Sequence, residues 1–170
     1  MALDSSGLVA SVALAEDDNL IAEYTVQYKK THSQTLLPML QEIGRMVELD
    51  LSTVDAIAVA AGPGSFTGLR IGSATAKGMA FALGKPIVPV PTVDGLAYQM
   101  YGAKDLVCPI MDARRSQVYT GIYEFVPDQS GRFTYDMRVI REQCAVSFDE
   151  IAEDLNRLDR SVIKSPPPSG

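Results

Sequence analysis

The sequence predicts an α/β fold made of two related lobes, and three observations carry that reading. The chain opens as a strand meander followed by an amphipathic helix. A continuous apolar run then ends abruptly in a glycine-rich loop before a second helix. Finally, a strand–hairpin–helix pattern starting on an aspartate occurs twice, near Asp4 and near Asp112, the mark of a duplicated unit. A chain of 170 residues has room for one domain or two small lobes. The expected division is 1–105 and 106–170, and the second lobe reads as incomplete.

Leu3-Asp4-Ser5-Ser6-Gly7 runs from apolar residues into a turn, as a short first strand would. Met1 stands so close to Asp4 that residues before it are expected to be missing, because strands usually need about five or six residues. Ser11–Ala15 is the second strand, Glu16-Asp17-Asp18-Asn19 the turn after it, and Leu20–Tyr28 the third strand. Over Gln34–Leu49, Leu36, Leu40, Ile43 and Val47 recur at i, i+4, i+7 and i+11, one stripe of a helix, and Leu37 and Met39 widen it. Asp55–Ala61 reads as a buried parallel strand. Leu69–Leu83 is a helix rich in small residues that Gly84 stops, and its interior glycines, Gly72 and Gly78, point to close approach by another backbone. Pro86–Val90 is a strand and Val93–Met100 a short helix. In the second lobe a strand from Leu106 ends at Asp112-Ala113-Arg114-Arg115, and Gln117–Phe125 pairs back on it. Met137–Ile140 is a short strand, and Phe148–Leu158 a helix capped by Ser147 with Glu150 three residues on. Ser161-Val162-Ile163 begins a strand that the Pro-rich end, Ser165–Gly170, cannot continue.

Composition narrows the function. Fifteen Lys and Arg against twenty-one Asp and Glu leave a net charge of −6. A surface of that sign repels phosphate backbones, so the chain alone is not expected to grip nucleic acid. His32 is the single histidine, so a two-histidine zinc protease site cannot be built from these residues. Cys108 and Cys144 fit neither a redox pair nor a zinc knuckle and read as small packing residues of a reduced protein. No long apolar run and no basic leader segment are present, which predicts a cytoplasmic protein with no membrane contact.

The candidate chemistry lies in three places. Gly62–Gly72, GPGSFTGLRIG, is a glycine-rich turn between a strand and a helix, a geometry that exposes backbone N–H groups to an anion. It is neither GxxxxGK[ST] nor GxGxxG, so a tight, closely packed connection is the simpler reading. Asp4-Ser5-Ser6 and Asp112 at strand ends could hold a phosphate or metal ion, though strand-end aspartates more often serve turns. Arg114 and Arg115 read as solvated turn charges, and His32 as a residue capping the first helix.

Taken together and in order, Asp4-Ser5-Ser6, His32-Ser33-Gln34-Thr35-Leu36-Leu37-Pro38-Met39, GPGSFTGLRIG and Asp112-Ala113-Arg114-Arg115 resemble the TsaB (YeaZ) family, formerly grouped with M22 glycoproteases. The resemblance runs from Met1 to about Phe125. It implies an actin/Hsp70/sugar-kinase-like fold of two RNase H-like lobes. It also implies a non-catalytic partner of a TsaD-type transferase that modifies adenosine 37 of tRNA, with a TsaE-type ATPase joining the complex and a homodimer in isolation. No catalytic residue, metal or cofactor is expected in this chain; nucleotide binding inside a complex stays open. Asp4, Ser5, Ser6, Gly62, Gly64, Ser65 and Asp112 become vestigial phosphate-site positions. The expected partner interface is Leu36, Leu37, Leu40, Ile43, Val47, Arg70, Ala74 and Gly78. The competing reading is an autonomous nucleotide-dependent kinase or ATPase, with Asp4 and Asp112 flanking a magnesium-bound phosphate.

Overall fold

The computed structural model describes residues 1–27, 32–158 and 162–164. The expected strand end at Tyr28 and the Pro-rich end lie outside the described residues, as does the side chain of His32. The chain divides into two compact units, Met1–Thr92 and Val93–Gly170.

The first unit holds β1 (Ala2–Asp4), β2 (Ala10–Glu16), β3 (Asn19–Val26), α1 (His32–Met46), β4 (Ile57–Gly62), α2 (Phe66–Leu83) and β5 (Ile87–Pro91). Its sheet has the order β3-β2-β1-β4-β5, antiparallel between β3, β2 and β1 and parallel from β1 through β4 to β5. The short β1 is thus central, held from both sides. Every second residue of β2 (Ala10, Val12, Leu14) and of β4 (Ile57, Val59) is buried, because successive strand side chains point to opposite faces. The helices meet these residues in one core: Leu36, Met39, Leu40 and Ile43 from α1, Ala76 and Ala80 from α2.

Three expectations change here. The run Asp55–Ala61 is not buried on both faces: Ala58 and Ala60 are half-buried and Ala61 exposed, so alanine's small size made the run look more enclosed than it is. Helix α1 ends at Met46 rather than Leu49. Glu48 takes the left-handed conformation (φ 51°), the Leu49 N–H donates to the Gly44 carbonyl (2.8 Å) and the Glu48 N–H to that of Arg45 (3.4 Å), a Schellman end on a residue other than glycine. Helix α2 begins three residues early. The Ser65 hydroxyl accepts from the Gly68 N–H (3.2 Å) and draws Phe66, Thr67 and Gly68 into the helix. Its other end is as expected: Gly84, at φ 66°, donates its N–H to Ala80.

The second unit carries α3 (Thr92–Tyr98), β6 (Leu106–Cys108), β7 (Ile110–Arg114), β8 (Gln117–Pro127), β9 (Tyr135–Ser147), α4 (Phe148–Arg157) and β10 (Val162–Lys164). The division falls between Thr92 and Val93, at the start of α3 and ahead of residue 105, because Val93 and Ala97 are buried with Val107, Tyr123 and Phe125. The buried Tyr123 hydroxyl also donates to the Asp94 carboxylate (2.7 Å), and burial followed by that carboxylate raises its pKa. On the other side of the sheet Leu106, Cys108 and Ile122 pack with Ile151 and Leu155 of α4. Cys108 is buried and Cys144 half-buried, and neither forms a disulfide.

Strands β6 and β7 flank Pro109 and take the place of β1; β8 and β9 follow antiparallel, α4 follows them, and β10 pairs parallel with β6. That repeats the β1-β2-β3-α1-β4 course of the first unit. The repeat extends to atoms: Asp4 Oδ1 accepts from the Ser6 N–H and Asp112 Oδ1 from the Arg114 N–H, each at 2.7 Å. Strand β9 is far longer than the expected Met137–Ile140. Its residues are exposed or half-buried except Val146, and its charged positions hide it from a hydrophobic pattern; pairing with β8 along its length holds it. The Ser147 cap is present (Glu150 N–H to Ser147 Oγ, 3.2 Å), while the Glu150 carboxylate turns to Arg141 (2.8 Å).

Candidate docking face and the glycine-rich loop

The first unit brings Asp4, Ser5, Ser6, Gly62, Gly64 and Ser65 together where β1 and β4 end side by side. The Ser65 N–H donates to the Ser6 carbonyl (2.6 Å), and the buried Ser5 hydroxyl donates to the Gly68 carbonyl (2.8 Å). Gly62 sits at φ 103°, a backbone conformation that a side chain would strain. A Cβ on Gly64 would fall 2.4 Å from the Ser6 carbonyl oxygen, and one on Gly72 2.4 Å from Ser5 Oγ. The approach by another backbone expected from the helix glycines is not found: at Gly72 the near neighbour is the Ser5 side chain, and at Gly78 a Cβ would meet nothing within 4 Å. Asp112 lies in the second unit, at a hairpin whose Arg114, Arg115 and Ser116 all have positive φ. Among the described residues no three His, Cys, Asp or Glu side chains gather as a metal site.

The structure corrects part of the expected interface. Leu36, Leu40 and Ile43 are 1%, 8% and 5% exposed. They fill the unit's own core with Val12, Leu14 and Ala80, and Val47 packs against the same cluster. The 3.6-residue stripe is real, but the sheet covers it. Leu37 is half-exposed, and Arg70, Ala74 and Gly78 are exposed. Two residues that the sequence reading missed join them: Phe66, 68% exposed, and Phe81, 91% exposed. Phe66, Arg70, Ala74, Lys77, Gly78 and Phe81 follow helical spacing along one side of α2. The signal was in the sequence, but starting the helix at Leu69 left Phe66 outside it. The Arg70 guanidinium lies 3.8 Å from the Phe66 ring centroid, a cation–π contact. Beside it, a shallow depression of about 480 Å³ runs over Ala61, Leu69 and Ser73. The face is apolar, with Arg70 and Lys77 adding positive charge.

The strand order and its repetition define the class, a two-lobed actin- and sugar-kinase-like α/β fold. A family model described as "TsaD: tRNA N6-adenosine threonylcarbamoyltransferase" matches residues 19–156. The tRNA threonylcarbamoyladenosine biosynthesis protein TsaB of Bacillus subtilis is 36% identical over 84% of this chain and 66% of its own length. TsaB of Escherichia coli is 35% identical over 73% of this chain and 54% of its own. Among solved structures, YeaZ from Pseudomonas aeruginosa aligns with a TM-score of 0.70 at 34% identity, covering 85% of this chain and 65% of that one. The chain belongs to this family of TsaD-type proteins, on its TsaB/YeaZ side. It spans 54% to 66% of the length of these curated relatives. Among the described residues no helix is long and apolar enough to cross a membrane.

Proposed function

We propose that this chain is the non-catalytic partner subunit in tRNA N6-threonylcarbamoyladenosine modification, docking on a TsaD-type transferase. A TsaE-type ATPase joins that complex, and the free chain pairs with itself. The observation that carries the reading is the outer face of α2. Phe66 and Phe81 lie open at its two ends, with the small residues Ala74 and Gly78 between them. Exposed aromatics framing a surface where another helix can approach closely are an interaction face, and aromatic and arginine anchors contribute most to such contacts. One histidine within the chain leaves no two-histidine metal centre here, so the transfer chemistry belongs to the partner. The net charge of −6 fits a subunit that leaves the tRNA to its partner.

Mixing the chain with a TsaD-type transferase and following mass by light scattering tests this. A complex is expected, and Phe81→Asp should abolish it with the melting temperature unchanged. Modification of tRNA by the chain alone would overturn the reading.

A further inference from the structure

An anion site at a strand–loop–helix junction needs backbone N–H groups that are free to reach a ligand. In this loop the chain itself takes four of them. The Ser65 N–H goes to the Ser6 carbonyl, the Gly68 N–H to Ser65 Oγ, the Leu69 N–H to the Ser65 carbonyl (2.8 Å), and the Ser6 N–H to Asp4. The glycines have the same explanation. Gly64 and Gly72 leave room for Ser6 and Ser5 of this chain, at distances where a Cβ could not stand, so these glycines are explained without a ligand.

We infer that the glycine-rich loop is a lock rather than a ligand cradle. Ser5, 2% exposed, and Ser6, 4% exposed, fasten the first turn of α2 to the end of β1, and thereby set where Phe66 and Arg70 present the docking face. Ser5 is a positioning residue: its hydroxyl donates to the Gly68 carbonyl, two residues before Arg70, and the side chain is buried beneath the helix. The inference rests on the docking role proposed above for its consequence, but not for its geometry.

Ser5→Ala tests it in the full chain, because alanine keeps the packing and removes only the bond to Gly68. Amide exchange at Phe66–Arg70 should accelerate while far-UV dichroism stays unchanged. The Kd for a TsaD-type transferase should rise about tenfold, within the range for residues that modulate binding without contact. Leu14→Ala, a core change away from the loop, should lower stability and leave that Kd unchanged. Neither inorganic phosphate nor Mg-ATP should bind the wild-type chain at millimolar concentration. Unaltered exchange in Ser5→Ala, or phosphate binding that Ser65→Ala removes, would overturn the lock. Arg70→Glu reports on the docking role separately. If that variant binds the transferase normally, the docking reading falls, while the exchange and phosphate measurements still decide the lock.

Discussion

Replacing Gly78 with alanine separates what the fold needs from what a partner needs. Gly78 lies inside α2, where glycine is about 1 kcal/mol less favourable than alanine. An added Cβ there would meet nothing within 4 Å, so no clash offsets the gain. The isolated chain should become about 1 kcal/mol more stable, a rise of about 2–4 °C in melting temperature for a protein of this size. Gly72→Ala supplies the opposite case in the same helix, because its Cβ would fall 2.4 Å from Ser5 Oγ. Forcing a methyl into such a contact costs about 1–3 kcal/mol. If another helix packs closely over Gly78, the same overpacking appears in the complex, as a Kd raised roughly 5- to 150-fold. Thermal unfolding of the free chain and titration against the transferase measure the two effects independently. A lower melting temperature for Gly78→Ala would refute the open-space geometry. A higher one with unchanged Kd would remove Gly78 from the docking face.

Leu40→Ala should cost about 2–5 kcal/mol in urea unfolding, the range for a buried leucine, since Leu40 serves the core; any loss of partner binding should then track the unfolded fraction. Glu48→Gly should stabilise the chain by about 1 kcal/mol by relieving a left-handed residue at the end of α1, read as a higher melting temperature. The Asp128 carboxylate accepts the Phe133 N–H (2.8 Å), the Ser130 hydroxyl (2.7 Å) and the Ser130 N–H (2.8 Å), which hold its pKa at about 2 instead of 3.8. A depressed carboxylate stabilises the fold above its ordinary pKa and stops doing so as pH falls through the folded value. Asp128→Asn should therefore flatten the acid dependence of stability between 3.8 and about 2; an NMR titration of Asp128 centred near 3.8 would contradict the geometry.

Local signals determined local structure. Ser147 caps α4 and Gly84 ends α2 because their side chain or its absence acts on backbone groups a few residues away. The Asp4 and Asp112 turns follow the same rule, so the duplication was legible from residue order alone. Where polarity masked the pattern, as along most of β9, only pairing with β8 revealed the full strand.

The helix faces show where local reading stops. Periodicity states that Leu36, Leu40 and Ile43 share one side of α1; it does not state what covers that side. The sheet does, as burial at Val12 and Leu14 shows, which leaves the outer side of α2 to carry Phe66 and Phe81. Likewise GPGSFTG announced a tight junction. Only the fold brought Ser5 and Ser6, some sixty residues away, onto Gly68 and Ser65. The sequence alone thus determined most of the elements, the Ser147 and Gly84 caps, the repeat and the family. Tertiary structure decided which apolar stripe is core and which is face, because burial depends on neighbours remote in the chain.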